Sequence, residues 1–166
     1  MSTYPYQKGP PQKPPRPLSA VEHADPRDLE NLVWFLHQMR EEIADGNADE
    51  AVLVELATSM VKGRSGTALI VRGDGKIEGS LGLIFEKPLL RNSNNLRVAW
   101  NCVLPECRVT GHAKSLIARA KEIADHLNRP LLLEEFSPDP ESGKAKLARR
   151  HMKPAGQMFV HMPEVA

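Results

Sequence analysis

Apolar residues recur every three or four positions at Ala113, Leu116, Ile117, Ala120, Ile123, Ala124 and Leu127. That spacing predicts a helix with one buried face. The run before it, Val98-Ala99-Trp100-Asn101-Cys102-Val103, is nearly all apolar and reads as a buried strand. Pro105 ends that strand, because proline has no N–H for a ladder. Nearer the N-terminus, Leu29, Leu32, Val33, Leu36, Met39 and Ile43 mark one face of another helix, closing around Asp45-Gly46. Asp25-Pro26-Arg27-Asp28 is its start, with a capping aspartate and proline at the first helical position. A second helix is predicted from Ala48 to about Val61, with Val52, Leu53, Leu56, Ala57 and Met60 inward, and Lys62–Gly66 breaks it.

Strand patterns fill the remainder. Leu18–His23 can form a short first strand. Thr67–Arg72 and Lys76–Phe85 flank Gly73-Asp74-Gly75, a hairpin signal. Leu131–Phe136 reads as a buried strand, which with Val98–Val103 and the helix between them makes a right-handed parallel crossover. Lys144–Met152 is a short basic helix and Gln157–His161 a last strand. The order β-α-α-β-β-β-α-β-α-β predicts an α/β single domain over residues 18–166, a mixed central sheet flanked by helices. Residues 1–17 are different, with Pro5, Pro10, Pro11, Pro14, Pro15 and Pro17 and no aliphatic residue beyond Met1. Such a segment cannot bury enough surface to offset its ordering entropy, so a disordered, proline-rich arm is expected. Within it Pro11–Arg16 fits the P-x-x-P-x-Arg form that proline-binding modules accept; a plain solubilising tail is the other reading.

Charge narrows the partners. The 166 residues carry 22 basic and 21 acidic side chains, a formal net charge of +1, so neither nucleic acid nor a membrane surface is expected as partner. No apolar run reaches membrane-spanning length and the N-terminus lacks a signal peptide's apolar core. Cys102 and Cys107 cannot cage a metal by themselves; they read as reduced thiols of a cytoplasmic protein that holds no metal.

Candidate chemistry lies between the buried strand and its helix, in Glu106-Cys107-Arg108-Val109-Thr110-Gly111-His112-Ala113. A strand feeding a helix through a glycine turn aims several unpaired backbone N–H groups at one point, and the helix dipole adds positive potential there. This is an anion site in outline. Gly111 also suits an ordinary turn, and Arg108 a solvated surface position. Gly111-His112-Ala113-Lys114-Ser115 nearly matches the end of a P-loop, but Arg108 and Ala113 stand where its glycines belong, which excludes the close wrap around phosphate.

Arg108-x-x-Gly111-x-Ala113 resembles the Gln/Arg-x-x-Gly-x-Gly/Ala signature of the GNAT superfamily of N-acetyltransferases, and the element order resembles that family over residues 18–163. The resemblance implies acetyl-CoA as co-substrate and direct attack by an amine acceptor on the thioester. It assigns the pyrophosphate to Arg108 and the backbone of Val109, Thr110, Gly111, His112 and Ala113, and the pantetheine arm and thioester to the backbone of Asn101, Cys102 and Val103. Small amines, antibiotics, polyamines, peptide N-termini and lysines all stay open as acceptors. Short chains of the family often pair through their sheets, so a homodimer is compatible with the resemblance.

The acid–base residues depart from the family. Where many members place a tyrosine that protonates the leaving thiolate, this chain has Ala148 or Arg149, and its only tyrosines are Tyr4 and Tyr6. Arg97 occupies a position where some members have a glutamate base, and arginine cannot accept a proton. The Gly-Phe pair usual after the last helix is replaced near Met152-Lys153-Pro154. The candidates left are Glu134 and Glu135, of which alternation allows one to face the acceptor cleft, and His151, each with an ordinary surface role as the alternative. Cys102 as acyl carrier has no adjacent base and reads as core. The expectation is an acetyl-CoA-dependent N-acetyltransferase; the alternative is a catalytically inactive GNAT-fold module that binds CoA or a protein partner.

Overall fold

The computed structural model describes residues 19–43, 48–87, 94–133 and 143–152. The expected arm over 1–17, the last strand over Gln157–His161, Glu134 and Glu135 lie outside the described residues. The elements run β1 (Glu22–His23), α1 (Leu29–Gln38), α2 (Glu50–Val61), β2 (Gly66–Gly73), β3 (Lys76–Glu86), β4 (Asn95–Val103), α3 (His112–His126), β5 (Leu131–Leu132) and α4 (Gly143–His151). The sheet has the order β1-β2-β3-β4-β5, antiparallel except for the parallel pair β4–β5. Among the described residues no helix is long and apolar enough to cross a membrane.

Both faces of the sheet are covered, which is why its middle strands read as continuous apolar runs. On β2, Ala68 and Ile70 face a core shared with Leu32, Phe35 and Leu36 of α1 and Leu53, Ala57 and Met60 of α2. Leu69 and Val71 face the opposite core, with Leu116, Ile117 and Ala120 of α3. The turn between β2 and β3 has positive φ at Asp74 (50°) and Gly75 (79°), the left-handed pair that matches strand twist in a two-residue hairpin.

Two bulges set which residues face which core. Between β3 and β4 the register passes from Gly82↔Trp100 to Leu83↔Val98, leaving Ala99 as an extra residue. Trp100 and Cys102 therefore face the α1/α2 core while Val98, two residues earlier, faces α3. Between β2 and β3 the register passes from Val71↔Gly79 to Arg72↔Ile77, so Glu78 is the extra residue. Ile77 joins the α1/α2 core, whereas Leu81 joins the α3 core.

Several expectations are corrected. The first strand is two residues long, not six. Helix α1 stops at Gln38, and a 3-10 turn over Arg40–Glu42 follows; Met39 and Ile43 stay buried because that turn keeps them against the same core. Phe35, absent from the expected face, is fully buried. Val52 is 58% exposed rather than inward, since it lies one residue off the buried stripe Leu53, Ala57 and Met60. Leu127 caps α3 and is exposed, and Leu131 and Leu132 are half-buried rather than buried.

Candidate functional site

The segment between β4 and α3 is a 3-10 helix over Pro105–Thr110, not an open loop. Pro105 begins it, the Cys107 N–H donates to the Leu104 carbonyl at 2.8 Å, and the Thr110 hydroxyl donates to the Cys107 carbonyl. The turn into α3 is made by Gly111 at φ 90°. A Cβ there would meet nothing within 4 Å, so the backbone angle and not crowding calls for glycine. Helix α3 starts with no side-chain cap. Its first-turn N–H groups are thus directed out of the helix end, with the positive end of the dipole. Val109 on the turn is 78% exposed.

Arg108 projects from this turn with its side chain half exposed, and its guanidinium donates to the Glu42 carboxylate on the 3-10 turn after α1. That pair ties the α1–α2 connection to the start of α3 across the end of the sheet.

The imidazole of His112 is a structural surprise. Its residue is only 7% exposed. Nδ1 lies 2.7 Å from Ser19 Oγ, and Nε2 lies 2.7 Å from Glu78 Oε2. Ser115, one turn on, accepts the Ser19 N–H at 2.9 Å and donates to the Gly111 carbonyl. Glu78 reaches His112 because the bulge re-aims it, and its carboxylate lies so close to Gly73 that a Cβ there would stand 1.9 Å from Oε1. Cys107 packs beside the same carboxylate; burial first, then the Glu78 charge, pushes its thiol above the ordinary cysteine value. Both cysteines are free thiols.

β4 supplies the second part of the site. β5 pairs with its N-terminal half, at Leu96↔Leu131 and Arg97↔Leu132, and the C-terminal half, Val98–Val103, leads toward the 3-10 helix and α3. Asn101 lies on that stretch, and its Oδ1 is buried with no hydrogen-bond partner among the described residues. A buried acceptor left this way costs about 1–3 kcal/mol. Cys102 is buried at 3% exposed in the α1/α2 core and Val103 at 7% in the α3 core, so neither side chain is open to a ligand.

Asn101, Cys102 and Val103 thus end β4, and Arg108, Val109, Thr110, Gly111, His112 and Ala113 follow on the 3-10 helix, the turn and the first residues of α3. His151 ends α4 elsewhere: it is half-buried against α3, and Lys121 Nζ donates to its carbonyl at 3.3 Å. Burial, then Lys121, Lys114 and Arg150, holds its imidazole below the ordinary histidine value. Arg97 forms an ion pair with Glu86 at 3.1 Å. The sequence reading gave His112 only a backbone part and passed over Ser19 and Glu78. One signal was present: His112 precedes Leu116 and Ala120 by four and eight residues, a polar side chain on the buried stripe. Nothing in the sequence marks Glu78, whose aim depends on a bulge.

No family model matches the sequence, and no curated protein matches it. Solved structures do. A ribosomal-protein-alanine N-acetyltransferase from Brucella melitensis biovar Abortus 2308 superposes with a TM-score of 0.68 at 19% identity, over 87% of this chain and 97% of that one. A possible acetyltransferase from Clostridium difficile 630 gives 0.69 at 19% identity, over 90% and 100%. AAC(6')-Iy, solved with the bisubstrate analog CoA-S-monomethyl-acetylneamine, gives 0.67 at 16% identity, over 88% and 98%. At these identities the likeness is one of fold, and the chain has the GNAT acetyltransferase fold.

Proposed function

We propose that this protein is an N-acetyltransferase that moves an acetyl group from acetyl-CoA to an amine. The observation that carries the reading is the way the C-terminal half of β4 leads, through one 3-10 helix, into the N-terminus of α3, which has no side-chain cap. A co-substrate with amide groups in its arm and a diphosphate at its end fits that corner on two counts. The orphaned Asn101 Oδ1 is an acceptor for an amide N–H. The turn at Gly111 is open, and the first-turn amides of α3 suit an anion. A CoA-based analog is bound by one protein of this fold, which adds support.

Acetyl-CoA supplies the activated acyl thioester. The chain supplies position and charge. The backbone of Asn101, Cys102 and Val103 holds the arm in an extended line, since main-chain groups on a strand edge pair with an extended ligand as with a strand. The amides of Val109–Ala113 and the Arg108 guanidinium take the diphosphate, Arg108 turning from Glu42 to do so. For proton transfer we assign Glu134 or Glu135, whichever alternation directs to the cleft, with His151 as the other candidate. His151, with its lowered pKa, would serve as a neutral base at pH 7.

Calorimetric titration of acetyl-CoA into the full chain and into Arg108→Glu tests the reading, with circular dichroism as the folding check. Arg108 is half exposed and pairs with the Glu42 carboxylate, so Arg108→Gln, which adds no like charge beside Glu42, is made alongside as a second variant. Binding that weakens at least about tenfold, equivalent to about 1.4 kcal/mol, supports the assignment. A screen of amines for thiol release then follows. No binding at millimolar ligand overturns the reading, and binding with no turnover on any amine selects the inactive-module alternative.

A further inference from the structure

Imidazole changes charge near neutrality more readily than any other side chain, so a buried histidine at a charged site raises the question of where its proton goes. At His112 the hydrogen-bond partners answer it. Nε2 faces the Glu78 carboxylate, which when ionised only accepts, so Nε2 carries its hydrogen in both charge states. Nδ1 faces the Ser19 hydroxyl, which can donate or accept. A proton can therefore arrive at Nδ1 without breaking either bond: the hydroxyl rotates from donor to acceptor and the ring stays still.

The charge of the cluster changes with that proton. With Nδ1 bare and Glu78 ionised, the pair is an anion with a buried imidazole and a partly exposed carboxylate; with Nδ1 protonated, it is neutral overall. This happens on the first residue of α3, under the amides assigned above to a diphosphate. The other charged or titratable groups here are few. From the 3-10 helix come Cys107, beside Glu78, and Arg108, paired to Glu42. From α3 itself comes the exposed Lys114, and the segment before β1 brings Ser19 with no charge. Glu106, which like Glu78 raises the Cys107 thiol pKa, adds a second acidic group on the 3-10 helix, and among the described residues His112 is the basic side chain bonded to Glu78.

We propose that His112 is the charge-setting residue of this site: a diphosphate ester bound at the N-terminus of α3 draws a proton onto Nδ1, so binding tightens as pH falls. The proposal rests on the acetyl-CoA reading of the same corner. Glu78 holds the imidazole in place, and Ser19 accommodates either charge state. By linkage, the slope of log affinity against pH equals the number of protons taken up on binding.

The test is calorimetry of acetyl-CoA and dephospho-CoA between pH 6 and 8, in two buffers of different ionisation enthalpy. Dephospho-CoA lacks the terminal phosphate whose own titration falls in that window. Wild type is expected to bind severalfold more weakly at pH 8 than at pH 6, with heats that differ between buffers. His112→Asn should bind dephospho-CoA with no pH dependence and equal heats. Glu78→Gln should bind more tightly than wild type at pH 8, because the resident anion is gone; a merely structural role for Glu78 predicts the reverse. Equal heats in wild type, or weaker binding by Glu78→Gln in a folded protein, overturn the proposal while leaving the acetyl-CoA reading in place. If acetyl-CoA binds at no pH, both fall.

Discussion

The indole of Trp100 lies against the Cα of Gly82 on the neighbouring strand, so close that a Cβ at Gly82 would stand 2.8 Å from three ring atoms. The ring is anchored through Nε1, which donates to the fully buried Ser80 Oγ at 3.1 Å. A ring displaced from Gly82 would strain or lose that bond within the α1/α2 core. Gly82→Ala is expected to destabilise the fold by about 1–3 kcal/mol through overpacking. Thermal unfolding of the two proteins measures it, and an unchanged midpoint would show that the indole relocates freely.

Releasing Arg108 should help an anion bind. The Glu42 carboxylate now occupies its guanidinium, and exposed pairs of this kind are worth about 0.2–1 kcal/mol. Glu42→Ala should therefore tighten acetyl-CoA binding by about two- to fivefold in the same titration. Weaker binding would mean that Glu42 orders the corner rather than competing for it.

Cys107 offers a probe of the Glu78 carboxylate that needs no ligand. Burial and then that charge raise its thiol pKa, which lowers the thiolate fraction at pH 8. Iodoacetamide should modify it more slowly than a free small thiol, and Glu78→Gln should speed the reaction severalfold. Mass spectrometry of the native protein should find Cys102, buried in the core, unmodified.

Stability should fall as the solution is acidified below neutrality. Burial, then Arg119, lowers the pKa of His23; burial, then Lys121, Lys114 and Arg150, lowers that of His151. Each binds fewer protons folded than unfolded, so stability declines as pH drops through the unfolded value of about 6.5. The decline continues until the folded pKa is passed. The melting temperature is expected to be lower at pH 5.5 than at pH 7.5, and the double variant His23→Gln/His151→Gln should flatten that dependence.

Proton transfer in the proposed reaction narrows to three side chains. Glu134→Gln and Glu135→Gln made separately should split, one lowering kcat at least about a hundredfold with KM nearly unchanged and the other staying near wild type. His151→Gln tests the remaining candidate in the same assay.

Local rules were enough for much of this protein. The helical stripes of α1 and α3, the aspartate–proline start before α1 and the glycine-flanked hairpin between β2 and β3 each depend on neighbours within a few residues. So does the glycine turn into α3, since the left-handed φ at Gly111 is a property of one residue. The order of those elements, together with the signature Arg108-x-x-Gly111-x-Ala113, indicated the GNAT-type architecture and the place where β4 leads into α3.

What distant parts of the chain decide could not be read this way. Alternation alone places Val98 and Trp100 on one face, and only the β3–β4 register, with its extra residue at Ala99, sends them to opposite cores. The same holds for Glu78, where a bulge turns what reads as a strand's surface carboxylate toward α3. His112 is separated from Glu78 by 34 residues and from Ser19 by 93, so its bonds exist only once β3, α3 and the segment before β1 are packed. Periodicity reports which residues leave water; which polar groups meet once they have left depends on strand register and packing, and those belong to the tertiary structure.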